Sequence, residues 1–310
     1  MDNFPKILVV GLPKAHGEIK GAFYNGYPIH KGFTDDSLNF ATVYAHDHKI
    51  IPDQKIVTRD HKNFLTTLRQ AGFKLQVLPF PENLNREDSL HHDGVFIRDS
   101  GFLFKKYWIK SNYSVKDRRP EADAWAEIIK TRFHKTIITP PPGAYIEFGE
   151  VYYFKTATST YYFGGLSRSN EKGQRFVKSI VKPDHFILLH SHGYHLDTVM
   201  TPVINKDNEL TALIITKNMF REDSLDKLKN LKIPLITVGP MDSSGTGGKL
   251  GTYHVNCLPG PGVLVNTGKF LTPGVEDRLK ALGIKRFYSP LTYFRYAGGS
   301  YHCLTNEINN

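Results

Sequence analysis

The chain has 310 residues, of which 40% are hydrophobic and 12% are aromatic. That is enough apolar material to close a core, so the composition excludes a disordered protein. The 40 Lys and Arg residues exceed the 30 Asp and Glu residues and give a formal charge of +10. The basic residues are spread along the chain and form no block of like charges, so we expect no nucleic-acid partner.

The sequence also limits where the protein works. It has no apolar stretch near the roughly 18 residues of a membrane span and no secretory signal, so we expect no membrane association. Two cysteines, Cys257 and Cys303, are too few for a disulfide framework at this length. A reducing, cytoplasmic location is therefore expected.

Short runs rich in β-branched and aromatic residues recur along the chain and predict strands. Five segments between these runs have helical spacing and opening caps or charges, and they begin about 50 to 60 residues apart. This regularity favours a closed, propeller-like arrangement of α/β units over an open doubly wound sheet. No long linker divides residues 1–310, which predicts a single domain. The predicted strands are 6–11, 74–80, 95–104, 144–154, 160–165, 185–190, 196–204, 210–220, 231–240 and 262–268, and the predicted helices are 61–71, 120–133, 170–181, 222–230 and 274–283.

The glycine-rich segment 239–249 does not match a phosphate-binding loop. Ser243 stands where that loop needs its first glycine, and Leu250 follows Lys249 where a serine or threonine is required. The segment therefore predicts a flexible loop.

Three histidines suggest an alternative, a metal-dependent hydrolase. His190, His192 and His195 follow a predicted strand, and two histidines two residues apart project the same way. The pattern comes close to that of metallo-β-lactamase-like hydrolases, but Tyr194 stands where those need an acidic ligand. A catalytically silent basic binding protein is the other alternative from a different class.

A second group of residues indicates thiol chemistry. A carboxylate within an apolar strand needs a cationic partner or a special role. A lone cysteine with a remote histidine makes a candidate nucleophile and base. Carboxylates around a thiol and an imidazole repel anions and suit a planar, delocalised cation, of which guanidinium is the obvious biological example. The group comprises Asp93, Asp99, Glu147, His195, Asp197 and Cys303.

The same motifs, in the same order, resemble those of the guanidino-group-modifying enzymes of the pentein superfamily. These include dimethylarginine dimethylaminohydrolase, arginine deiminase and the amidinotransferases. Asp93-x-Val-Phe-x-x-Asp99 resembles the dimethylargininase acid pair, and His195-Leu-Asp197 is similar to the arginine deiminase histidine motif. Gly-Gly-x-x-His-Cys303-Leu-Thr is similar to the cysteine motif of amidinotransferases and agmatine deiminases.

Three further segments resemble this family with departures. Arg118-Arg119-Pro-Glu resembles the double-arginine segment in which an arginine holds the substrate carboxylate. Glu147-Phe-Gly-Glu150 stands where the family has Glu-Gly-Gly-Asp. The segment around Arg168 is similar to Gly-x-Ser-x-Arg-Thr-Asn with one residue fewer.

The resemblance implies a five-bladed α/β propeller of strand-strand-helix-strand units with a central site and no metal or organic cofactor. It implies that the Cys303 thiolate attacks a guanidinium carbon while Asp99 and Glu147 hold the nitrogens, and that His195 acts as acid and then base. The residues expected to bind the substrate are Asp93, Asp197, Arg118, Arg119 and Arg168.

Family members differ at the position of Asp197, which dimethylargininases usually lack, so this residue favours an unmethylated guanidinium. Arg118 or Arg119 together with Arg168 suggests a substrate that carries an amino-acid carboxylate. We therefore expect a hydrolase that converts arginine or an N-substituted arginine to a ureido product. An amidinotransferase is the first alternative, and the sequence leaves a homo-oligomer open.

Overall fold

The computed structural model describes residues 7–14, 39–86, 89 and 91–308. Within these residues the strands form five three-stranded sheets and one small hairpin. The strands are β1 (Ile7–Gly11), β2 (Lys74–Leu78), β3 (Gly101–Phe104), β4 (Tyr107–Lys110), β5 (Thr136–Ile138), β6 (Val151–Lys155), β7 (Thr160–Gly165), β8 (His185–Leu189), β9 (Met200–Ile204), β10 (Leu210–Ile215), β11 (Leu235–Thr237), β12 (Gly245–Thr246), β13 (Lys249–Leu250), β14 (Leu258–Gly260), β15 (Val263–Asn266), β16 (Lys285–Tyr288) and β17 (Thr305–Glu307). The helices are α1 (Phe40–Asp47), α2 (Gln54–Gln70), α3 (Ile97–Ser100), α4 (Arg119–Phe133), α5 (Glu171–Val181), α6 (Glu222–Asn230) and α7 (Val275–Ala281).

Every three-stranded sheet repeats one unit, a blade. Two antiparallel strands come first, a helix follows, and a third strand pairs in parallel with the second. In the third blade, for example, β6 pairs antiparallel with β7, α5 follows, and β8 pairs in parallel with β7. The chain is thus a five-bladed α/β propeller, as the sequence predicted.

One blade joins the two ends of the chain. Strand β17 pairs antiparallel with β1, with Thr305 opposite Val10, and β1 pairs in parallel with β2. Cys303 lies two residues before β17, so this pairing fixes the position of the candidate nucleophile.

The five predicted helices appear as α2, α4, α5, α6 and α7, although α2 begins at Gln54 and not at residue 61. Helix α5 shows why such segments form. The side chain of Asn170 accepts a hydrogen bond from Gly173 N at 2.9 Å and caps the first turn. Val177 and Val181 lie four residues apart, so they share the buried face that packs on the sheet. Burial of a side chain of this size contributes roughly 1.5–3 kcal/mol.

Three predicted strands were wrong at their beginnings. Residues 97–100 form the short helix α3, Phe148–Glu150 form a 3-10 turn before β6, and Leu196–Thr198 form another before β9. Each turn is buried along its whole length and carries one large apolar residue, namely Ile97, Phe148 or Leu196, so burial continues into the following strand without a break. Strands β4, β5, β14, β16 and β17 were not predicted. Within segment 239–249, which was predicted to be a loop, the structure forms β12 and the first residue of β13.

Residue 6, the first of the predicted strand 6–11, lies outside the described residues. Among the residues that are described, no helix is long and apolar enough to cross a membrane.

Candidate active site

The turns that precede the blades carry the polar residues of the site. Each of five buried side chains lies two to four residues before the first strand of its own blade. We call these five residues the central ring. The central ring consists of Asp99 before β3, Glu147 before β6, Asp197 before β9, Asn256 before β14 and Cys303 before β17.

His195 and Glu147 form a buried pair. His195 Nε2 lies 2.9 Å from Glu147 Oε2, while Glu147 Oε1 accepts hydrogen bonds from Ser114 N at 3.1 Å and Ser114 Oγ at 2.8 Å. Arg168 Nη1 lies 3.8 Å from Glu147 Oε2. Both carboxylate oxygens of Glu147 are therefore engaged. These contacts orient His195, and the expectation that Glu147 holds guanidinium nitrogens stays a prediction.

The surroundings of this pair favour the charged forms of both residues. Burial raises the pKa of Glu147, but the hydrogen bond from His195 and the charge of Arg168 outweigh burial and lower it to about 2. Burial lowers the pKa of His195, but the charge of Asp99 and the hydrogen bond to Glu147 outweigh it and raise that pKa above its ordinary value. The pair is therefore an imidazolium beside a carboxylate, and His195 carries a proton it can give away.

Cys303 lies in a separate group of contacts. Its thiol donates to Asp197 Oδ2 at 3.3 Å, and Asn256 Nδ2 donates to the sulfur at 3.2 Å. His302 Nδ1 lies 2.7 Å from the same Asp197 oxygen. Burial raises the pKa of Cys303 well above its ordinary value, and the charges of Asp197 and Asp99 raise it further. In the protein by itself, Cys303 is a thiol.

Two carboxylate oxygens lack a hydrogen-bond donor. Asp99 Oδ1 and Asp197 Oδ1 are buried and accept no hydrogen bond from the described residues, although Asp99 Oδ1 lies 3.7 Å from His195 Nδ1. Burial, with the charge of Asp99, raises the pKa of Asp197 to about 7. A buried acceptor without a donor costs about 1–3 kcal/mol, so a planar cation with several N–H groups would be stabilised here.

Arg118 and Asp93 lie behind Asp99. Arg118 donates from Nη1 to Asp99 Oδ2 at 2.9 Å, from Nε and Nη2 to Glu121 Oε2 at 3.0 and 2.8 Å, and from Nη2 to the Asp93 carbonyl at 3.3 Å. Its guanidinium is buried, and these acceptors take four of its five N–H groups. The structure thus places Arg118 where it fixes Asp99, and a contact of Arg118 with a substrate carboxylate stays a prediction.

The other two candidate arginines differ in position. Arg168 stacks on the ring of Tyr194 at 4.9 Å and lies beside Glu147. Arg119 is half-buried and donates from Nε to the carbonyl of Tyr113 at 3.2 Å. The structure brings Arg168 to the His195–Glu147 pair, whereas the hydrogen bond of Arg119 is to the backbone of Tyr113.

The departures at 147–150 are explained by packing. Phe148 points away from the site and stacks on Phe102 with ring centroids 5.5 Å apart. Gly149 must be small, because a Cβ there would collide with His195 Nδ1 and lie 3.0 Å from Asp99 Oδ1. Glu150 accepts hydrogen bonds from three backbone N–H groups and so ties the Arg168 loop to the His195 loop. The donors are Ser167 N at 2.9 Å, Arg168 N at 2.7 Å and Leu196 N at 2.9 Å.

The histidines of the metal alternative do not share a site. His192 is exposed, whereas His195 is fully buried and held by Glu147. In the part of the chain that the structure describes, no group of three or more His, Cys, Asp or Glu side chains could hold a metal ion. The other thiol, Cys257, donates to the carbonyl of His254 at 2.9 Å, and burial raises its pKa to about 12.

Sequence reasoning missed three residues of this site. Ser114 holds Glu147, His302 holds Asp197, and Asn256 contacts the Cys303 sulfur. For Asn256 a signal existed, namely its place just before a blade, but β14 was not predicted. His302 is adjacent to the candidate nucleophile within the motif Gly-Gly-x-x-His-Cys303, and the sequence alone predicted no role for it.

Solved structures share the architecture over the whole chain. The N-terminal domain of ArgZ, an arginine dihydrolase from cyanobacteria, has a TM-score of 0.75 and 17% identity, covering 100% of this chain and 98% of that one. The chain has the pentein fold. Unliganded AgrE shares this fold at a TM-score of 0.75 and 16% identity, covering 98% of this chain and 40% of AgrE.

A third pentein structure, dimethylarginine dimethylaminohydrolase in an adduct with a pyridine compound, has a TM-score of 0.65 and 14% identity, covering 97% of this chain and 98% of that chain. No family model matches the sequence, and no curated protein matches it.

Proposed function

We propose that the protein is a thiol-dependent hydrolase that converts a guanidino amino acid to a ureido product. One observation carries the proposal. Asp99 Oδ1 and Asp197 Oδ1 are buried acceptors without donors, and Asp197 also contacts the Cys303 thiol. A guanidinium bound between the two carboxylates would supply the missing N–H groups and present its carbon to the sulfur.

The first half-reaction forms the covalent adduct. The bound cation favours the Cys303 thiolate, which the protein alone does not, so the thiol releases its proton to solvent when substrate binds. The sulfur then attacks the guanidinium carbon, and the imidazolium of His195 gives its proton to a departing amine. An amidino group remains on sulfur, and ammonia or an amine leaves.

The second half-reaction uses the same histidine in the opposite sense. Neutral His195, held by Glu147, takes a proton from water as the water oxygen attacks the amidino carbon. The carbon–sulfur bond breaks, the second proton of the water passes to solvent, the thiolate is restored, and the ureido product leaves. A charged carboxylate at Glu147 favours the return of the proton to His195.

We propose arginine or an N-substituted arginine as the substrate. The carboxylate of Asp197 lies beside the Cys303 thiol. A substrate nitrogen at this position is therefore bound better when it carries N–H groups than when it carries methyl groups. Arg168 is the arginine that lies beside the central pair, and it would pair with an amino-acid carboxylate. The shared fold with ArgZ, named as an arginine dihydrolase, supports the same class.

The test is product identification by mass spectrometry. Purified protein is incubated with arginine, methylated arginines, agmatine and guanidinoacetate, with and without glycine or ornithine as an amine acceptor. We expect one guanidino amino acid to give its ureido product, and Cys303→Ser to abolish that product. Cys257→Ser is the matched control and keeps activity, since Cys257 donates only to a backbone carbonyl.

Two outcomes would overturn this function. Transfer of the amidino group only in the presence of an amine acceptor would make the protein an amidinotransferase. Consumption of no guanidine, or equal activity in Cys303→Ser, would leave a shared fold without this chemistry.

A further inference from the structure

We propose that Asn256 is a catalytic residue whose side-chain amide holds the Cys303 sulfur as a thiolate. The site residues that the sequence singled out come from the other four blades, so Asn256, just before β14, adds the fifth blade to the site. The proposal deepens the function proposed above, and it rests on that function only in taking Cys303 as the nucleophile.

The contacts of Asn256 all lead to the reacting group. Its Nδ2 donates to Cys303 Sγ at 3.2 Å and to the carbonyl of Asp197 at 3.1 Å, and its Oδ1 accepts from Cys303 N at 3.3 Å. The side chain is fully buried, so no water competes for these hydrogen bonds. One amide therefore fixes the sulfur, the backbone of the nucleophile and the turn that carries Asp197.

A thiolate at this position needs donors. Cys303 as a thiol donates to Asp197 Oδ2, but once the proton is lost two anionic atoms face each other at 3.3 Å. The charges of Asp197 and Asp99 then disfavour the thiolate. The Asn256 amide and the backbone N–H of Ser300 oppose these charges, because each donates a hydrogen bond to the sulfur and so favours the thiolate. A hydrogen bond to a charged acceptor is stronger than one to a neutral acceptor, so the amide favours the thiolate over the thiol.

The neutral charge of this donor suits the substrate. A lysine or arginine beside the sulfur would stabilise a thiolate more strongly, but it would also repel an incoming guanidinium. An amide donates without carrying a net charge, so it stabilises the sulfur without weakening the attraction of Asp99 and Asp197 for a cation. This explains why the residue before the fifth blade is polar and uncharged where the other blades supply acids and a thiol.

The experiment measures thiol reactivity without substrate. Methyl methanethiosulfonate modifies the intact protein across a pH series, and peptide mass spectrometry gives separate rates at Cys303 and at Cys257, the internal control. Asn256→Ala removes both the donor to sulfur and the acceptor for Cys303 N–H. Asn256→Asp keeps the acceptor but, once ionised, cannot donate.

We expect Cys303 in both variants to react about ten- to a hundredfold more slowly near neutral pH, with its titration moved to higher pH. Asn266→Ala is the matched control for folding. Asn266 is also buried, but it donates to the carbonyl of His254 at 2.9 Å and accepts from Arg286 at 2.8 Å, so the Cys303 rate should not change.

Three results would overturn the proposal. The first is an unchanged Cys303 rate in both variants. The second is a rate that Asn256→Asp restores, because this would show that the hydrogen bond to Cys303 N–H suffices. The third is a wild-type Cys303 that is no more reactive than Cys257. None of these readouts needs turnover. A protein that consumes no guanidine yet shows the Asn256 effect would therefore contradict the proposed function and leave this inference standing.

Discussion

The site contains two buried histidine–carboxylate pairs with nearly equal geometry. His195 Nε2 lies 2.9 Å from Glu147, and His302 Nδ1 lies 2.7 Å from Asp197. Their pKa values nonetheless shift in opposite directions. The pKa of His195 is raised and that of Glu147 falls to about 2, whereas the pKa of His302 is lowered and that of Asp197 rises to about 7.

The neighbours of each pair explain the difference. His195 faces a second carboxylate, Asp99, which favours its charged form. His302 is buried near two cations, Arg98 and His195, and all three influences lower its pKa. A contact distance alone therefore does not identify a proton donor. His195 of the first pair is the protonated histidine, as the proposed reaction requires, whereas the imidazole of His302 is neutral and holds Asp197.

The largest expected effect is on the first pair. His195→Asn removes the acid and base of both half-reactions, so we expect turnover to fall about 10²- to 10⁴-fold. Product formation measured by mass spectrometry gives the rate, and unchanged methanethiosulfonate modification of Cys303 shows that the nucleophile is intact.

A companion variant tests the role of Glu147. Glu147→Gln removes the charge that raises the pKa of His195, so the loss of activity at high pH should begin at a lower pH than in the wild type. If His302→Asn moved that limb and Glu147→Gln did not, the assignment of the two pairs would be reversed.

Much of the fold could be predicted from the sequence, because helix spacing and capping depend on residues close together in the chain. Helix spacing and caps such as Asn170 predict the repeat of one helix per blade. The turns before the blades escaped prediction, because residues such as Val95, Phe96 and Ile97 are buried in a turn as fully as they would be in a strand. Periodicity does not distinguish these two conformations.

The site was predictable in its residue types more than in their roles. The chemistry of Cys303 and the acids can be read from the sequence, but the partners depend on contacts between distant segments. Asn256 meets Cys303 across 47 residues, and His302 meets Asp197 across 105. No local pattern contains such a pair, and both were missed for that reason.

A smaller effect is expected on the second pair. His302→Ala removes the donor to Asp197 Oδ2, so the carboxylate can turn away from the substrate, and we expect about a tenfold loss in kcat/KM. His302→Asn places an amide N–H where Nδ1 lies and should recover most of the loss. Steady-state kinetics on the substrate that the mass-spectrometry assay identifies gives both values, and thermal melting checks folding.

The recovery of kcat/KM in His302→Asn is the result that distinguishes a hydrogen bond from packing. A purely structural histidine that fills space against the Tyr152 ring, 4.3 Å away between centroids, would be replaced equally badly by alanine and by asparagine. Equal losses in the two variants would therefore show packing in place of a hydrogen bond to Asp197.

The smallest effect concerns stability, where the two histidines should act with opposite sign. The folded-state pKa of His195 lies above its ordinary 6.5, so its stabilising contribution is complete below pH 6.5 and is lost as the pH rises through the folded value. The folded-state pKa of His302 lies below 6.5, so the folded state gains stability above that pH and loses it as the pH falls. Each slope is at most about 1.4 kcal/mol per pH unit.

Urea denaturation across this pH range measures the difference between each asparagine variant and the wild type. For His302→Asn the variant should gain on the wild type as the pH falls below 6.5, and for His195→Asn it should gain as the pH rises above 6.5. His61 on α2 calibrates the His302 slope, because burial lowers the pKa of His61 to about 4 and its Nε2 lies 3.0 Å from the carbonyl of Gly11, a backbone group. Slopes of the same sign for His195 and His302 would mean that the two pairs hold their protons alike, and the division of labour between them would fail.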